Sequence, residues 1–169
     1  MSVLLFAHGK ACATQGDRGN EIVRSKLASF LEETRMSTVR FTMAYGCLFA
    51  VALMPYVCAV LAKRFGTKSA GSSYNNARPR EWLAKLTGWP ARANAAQANC
   101  FEAMPFFFAA VIIAQQRMAM QATLDMLCVM FVLCRVLYVL MYIADNHILR
   151  SLMWFLAFGL NIAIFFWGF

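Results

Sequence analysis

The sequence predicts an all-α membrane protein built as a bundle of four transmembrane helices, and three observations carry that prediction. Of 169 residues, 61% are apolar and 14% charged, a balance that excludes a disordered or ordinary soluble chain. The apolar residues gather into four long runs, each able to cross a bilayer as a helix. The bases collect in segments flanking those runs, the pattern that sets membrane orientation. That placement of the +8 net charge argues for a lipid bilayer, and against nucleic acid, as the partner.

Taken in order, residues 1–35 mix Lys10, Arg18, Arg24, Lys26 and Arg35 with Asp17, Glu21, Glu32 and Glu33, and their apolar opening is too short for a signal-peptide core. They read as an N-terminal extension, with Met36 as the expected native start and 36–169 as the membrane domain. Phe41 to Ala62 carries no charge and forms the first span, with Pro55 predicting a kink. Lys63, Arg64, Lys68, Arg78, Arg80 and Lys85 then fall in a loop that Gly66, Gly71 and Pro79 mark as irregular. The positive-inside rule makes this loop cytoplasmic.

Glu81 to Leu86 reads as a short interfacial helix, since Trp82 within it and Trp89 just beyond are residues that favour the headgroup level. The second span is Ala91 to Gln116, entered through Gly88 and Pro90 and bent at Pro105. Leu124 to Ala144 and Arg150 to Trp167 complete the four, which puts both termini on the non-cytoplasmic side. Cys47, Cys58, Cys100, Cys128 and Cys134 all lie in apolar segments, without a Cys-x-x-Cys pair or a His/Cys cluster. They read as small buried hydrophobes, so neither a disulfide framework nor a metal site is indicated.

Two spans break their own apolar pattern. Between Arg92 and Arg117 the one charged side chain is Glu102, and at 100° per residue Arg92, Asn99 and Glu102 share a face at about 0°, −20° and −80°. The third span repeats the anomaly, because Arg135, Tyr138, Tyr142 and Asp145 fall within about 80° of one another. Polar stripes on membrane helices face protein or water. Glu102 and Arg135 both lie roughly 15 Å deep and are expected to neutralise each other, within one protomer or across two. On the fourth span Arg150 and Asn161 lie about 20° apart with Trp154 beside them. A polar core that only fixes helix packing is the simpler alternative.

Gln97-Ala-Asn99-Cys-Phe-Glu102-Ala-Met-Pro105, with Arg135-x-x-Tyr138-x-x-x-Tyr142, resembles the MAPEG family, the membrane-associated proteins of eicosanoid and glutathione metabolism, in its bacterial type. The resemblance covers about residues 40–165. It implies a homotrimer of four-helix protomers that binds glutathione at the protomer boundary near the cytoplasmic side. Carried over by position, Asn99 and Glu102 contact glutathione from one protomer, and Arg135, Tyr138 and Tyr142 from its neighbour. The sequence departs from the pattern at Ala95, where glutathione-binding members carry Arg, and Arg92 on the same face is the candidate replacement. Arg150-Ser151 looks like the Arg-Ser pair of the prostaglandin E synthase branch, one residue out of register.

The leading expectation is therefore a glutathione-dependent transferase or peroxidase acting on lipophilic electrophiles, multi-pass in the membrane, and in a bacterial cell in the inner membrane. Arg150 is the candidate for favouring thiolate over thiol, with Ser151 as a hydrogen-bond donor to it. The alternative is a non-catalytic member of the same fold that binds a lipid or small anionic ligand.

Overall fold

The structure, a computed structural model, describes residues 23–29 and 41–167. Residues 23–29 form a short helix, α1, in which Ser29 Oγ donates to the Lys26 carbonyl at 2.9 Å. The expected start at Met36 lies outside the described residues.

From Phe41 onward the chain is helical, with α2 (Met43–Ala70), α3 (Pro79–Leu83), α4 (Gly88–Gln116), α5 (Gln121–Ile143) and α6 (His147–Trp167). Four of these, α2, α4, α5 and α6, are long and apolar enough to cross a membrane. Each of α4 and α5 packs against the three other long helices, which leaves α2 and α6 on opposite edges of the bundle. Pro55 and Pro105 lie inside α2 and α4, and both helices run through them unbroken.

One boundary differs from the sequence expectation by two turns. Helix α2 does not end at Ala62 but continues through Lys63, Arg64 and Lys68 to Gly71, whose φ of 67° closes it in the left-handed region. Long basic side chains are good helix formers, and at the end of a span their heads reach water without the backbone leaving the helix. Gly66 does not interrupt the helix because it serves packing: a Cβ there would stand 2.5 Å from Leu86 Cδ2 and 2.8 Å from Trp82 Cη2. The bare backbone lets α3 and its following turn lie against α2, where the Trp82 indole donates to the Ser72 carbonyl at 3.0 Å.

The bundle core is built largely from small side chains. Ala44, Ala110 and Ala114, with Cys47, Cys128 and Cys134, bring the helix backbones close, and Phe107 stacks on Phe131 at 4.1 Å between ring centroids. The five cysteines of the spans are free and buried, as small hydrophobes would be. Large apolar side chains such as Phe49, Val60, Ile112, Leu133 and Leu152 are exposed on the outside, the arrangement that lipid tails require.

At the end of the bundle where α2 and α5 begin, polar groups satisfy one another. Asp125 Oδ1 accepts from the Ala44 backbone N–H and from Gln121 Nε2, both at 2.8 Å. Ala44 N–H lies in the first turn of α2, so a carboxylate from α5 caps another helix at its positive end. Gln115 Nε2 donates to Thr42 Oγ1 at 3.4 Å beside it.

Candidate functional site

The opposite end, formed by the start of α4, the end of α5 and the start of α6, gathers most of the residues that the sequence singled out. Arg135 is 2% exposed. Its Nη2 donates to Asn99 O at 3.2 Å, to Asn99 Oδ1 at 3.0 Å and to Cys100 Sγ at 3.7 Å. The guanidinium also lies 4.5 Å from the Tyr138 ring centroid. Asn99 in turn donates from Nδ2 to Glu102 Oε2 at 3.1 Å. Groups that the resemblance divides between neighbouring protomers thus meet within one chain.

The direct Glu102–Arg135 ion pair is not formed within the chain. Among the described residues Arg135 has no carboxylate within 4.0 Å, and Asn99 stands between the two charges. The reason is helical phase. Glu102 sits about 60° round α4 from Asn99, which turns it to the exposed flank.

Arg92 also differs from expectation. Its Nε donates to the Ile143 carbonyl at 3.1 Å and its Nη1 lies 3.4 Å from Asp145 Oδ2. It clasps the start of α4 to the end of α5 and lines neither cleft described below. Asp145, which sequence phase placed on the polar track, has a positive φ of 66° in the turn between α5 and α6 and meets Arg92 there with its side chain largely exposed.

Two clefts adjoin here. The first, of about 280 Å³, is lined by Asn99, Tyr138, Tyr142, Arg150, Ser151, Trp154 and Phe155. The Arg150 guanidinium lies 4.5 Å from the Tyr142 ring centroid, and Tyr142 meets Tyr138 edge to face at 5.7 Å. Ser151 Oγ donates to the His147 carbonyl at 2.9 Å. Its single proton is engaged one turn back along α6, so as placed it offers a ligand an acceptor and not the expected donor.

The second cleft, of about 160 Å³, shares Asn99 and Trp154 with the first and is walled by Ala103, Phe106, Phe131, Ala157 and Phe158. Glu102, Arg135 and Asn161 are its other polar lining groups. Trp154 stacks on Phe158 at 5.4 Å, forming one apolar wall. The arrangement offers a polar chamber carrying a cation and two phenols, beside an apolar chamber with few polar groups.

The sequence reading missed Asp125, a carboxylate in the first turn and a half of a span, whose isolation among apolar neighbours was the available signal. It had placed Asn161 and Trp154 on one face with Arg150. The second cleft that this face lines became visible only in the packed structure.

Four apolar spans, with polar side chains gathered in clefts between them, define a multi-pass integral membrane protein. The MAPEG family profile matches residues 42–169, and the chain belongs to the MAPEG family. Comparison with curated proteins and with solved structures gave no match.

Proposed function

We propose that this protein is a glutathione-dependent transferase or peroxidase that acts on lipophilic electrophiles inside the bilayer, as a homotrimer with its basic first loop on the cytoplasmic side. The observation that carries the reading is the meeting of Arg150, Tyr138, Tyr142 and Asn99 around one cleft that shares Asn99 and Trp154 with a more apolar one. Family membership supports the same chemistry in general terms.

Each side chain then has a part to play. Asn99 and the phenols of Tyr138 and Tyr142 hold the amide and carboxylate groups of the tripeptide, and Arg150 lies beside its sulfur. A cation there favours the thiolate, the reactive nucleophile, at neutral pH. In transfer, sulfur forms a bond to the electrophilic carbon as the leaving group departs with the bonding pair, and the thiol proton passes to solvent. In peroxide reduction, the thiolate takes the terminal oxygen of the hydroperoxide and the alkoxide is protonated to alcohol. A second glutathione then displaces water to give the disulfide.

Purified protein with glutathione and an aryl halide tests the reading. Turnover above the uncatalysed rate is expected, with bound thiolate visible in the ultraviolet. Absence of both glutathione binding and turnover overturns it.

A further inference from the structure

Asn161 is 3% exposed, and its side-chain carbonyl oxygen has no hydrogen-bond partner. An unpaired acceptor is costly in a protein interior and costlier in a bilayer, so such an atom asks for a donor. Arg135 lines the same cleft of about 160 Å³ and uses one guanidinium nitrogen for its hydrogen bonds, with no carboxylate within 4.0 Å among the described residues. The remaining walls are mainly apolar, with Phe106, Phe131, Trp154 and Phe158 among the lining residues. The residues lining this greasy cleft thus include one whose buried acceptor lacks a donor and one cation with donors to spare.

We propose that this cleft binds an apolar molecule carrying a hydroxyl group, whose O–H donates to the Asn161 carbonyl while its oxygen accepts from Arg135. Other chemistries satisfy only half of the site. A carboxylate accepts from Arg135 but leaves Asn161 unpaired and brings a second negative charge near Glu102, which lines the same cleft. An amine supplies the donor but is repelled by the guanidinium. A hydrocarbon or ether leaves the carbonyl unpaired, and a site built to hydrogen-bond an O–H group discriminates against analogues that lack it. Asn161 is therefore the residue that selects among lipophilic molecules, and Asn99 and Trp154 connect its cleft to the one that holds Arg150. The inference rests on the proposed function only for what becomes of the bound molecule.

The experiment needs neither glutathione nor turnover, so its failure is distinguishable from failure of the proposed function. Primary heptanol, its isomer methyl hexyl ether, and heptanoate are titrated against the full chain in detergent micelles, and half-saturating concentrations are read from thermal stabilisation. Heptanol is expected to half-saturate at a concentration about five- to tenfold below that of the ether, the range for one hydrogen bond. In Asn161→Leu, which keeps the side-chain bulk and removes the acceptor, the two isomers should become equal within about twofold. Equal binding of the isomers by the wild type overturns the proposal, and that comparison stands whether or not the variant folds. A preference for heptanol that survives Asn161→Leu also overturns it. Tightest binding of heptanoate overturns it as well, because the site would then be reading charge through Arg135.

Discussion

The two ends of the bundle treat buried polar groups in opposite ways. Around Asp125 the carboxylate takes one backbone and one side-chain donor at 2.8 Å, and the neighbouring Gln115 reaches Thr42. Around Arg135 the donors outnumber the acceptors, Glu102 lies exposed on the flank, and the Asn161 carbonyl has no partner. Both ends contain ionisable residues in apolar helices, so charge alone does not mark a ligand site. The difference lies in what remains unsatisfied after the helices have packed. A closed network stabilises the bundle, whereas an open one keeps capacity for something that is not part of the chain.

Substitutions at the two ends should separate these roles. Arg150→Leu has the largest expected effect, lowering the rate of glutathione conjugation about 100-fold while the glutathione dissociation constant stays within a few-fold. Steady-state kinetics alongside equilibrium titration of glutathione check this split. A loss confined to binding would move Arg150 from activating the sulfur to holding the tripeptide.

Asp125→Leu comes next. It strands the Ala44 N–H and the Gln121 amide, at a cost of about 2 kcal/mol in stability, and it leaves the turnover of the folded fraction unchanged. Thermal melting and active-site-normalised rates decide it, and a rate loss without a stability loss would erase the distinction between the ends. Asn99→Ala should weaken glutathione binding about tenfold, with a small effect on the rate at saturation, because it removes a ligand contact and one acceptor of Arg135. The smallest effect concerns Glu102 and Arg135. Glu102→Gln and Arg135→Met should couple only weakly in melting experiments, by about 0.5–1 kcal/mol, because the one link between them within the chain is the Asn99 amide that both touch. Strong coupling would instead show that the two charges meet across protomers.

Much of this was legible in the sequence, for reasons that also explain the errors. Uncharged runs locate spans because the bilayer tolerates little else, and all four runs became helices. Helical phase correctly grouped Asn99 with Glu102, and Arg135 with Tyr138 and Tyr142, since phase is a property of one helix alone. What a side chain touches depends on the neighbouring helix, and there the reading erred. Arg92 faced the expected direction but found the Ile143 carbonyl and Asp145 within reach. Glu102 matched Arg135 in depth, yet within the chain Asn99 took the guanidinium, which leaves the pairing across protomers as the remaining form of that expectation. The end of α2 was misplaced because lysine and arginine mark the edge of the membrane and not the edge of a helix.

The turn between α5 and α6 spans only Ala144, Asp145 and Asn146, and within it Asn146 Oδ1 accepts the Leu149 N–H while its carbonyl accepts the Arg150 N–H. Two long helices joined so tightly behave mechanically as a single lever. Tyr138 and Tyr142 on one arm stand across a three-residue turn from Arg150 and Trp154 on the other. A displacement of α4 against that lever would stretch the Arg92 clasp at the rim and the Asn99–Arg135 bond below it. Two hydrogen-bonded points about two helical turns apart, at Arg92 and at Asn99, thus hold α4 along that seam.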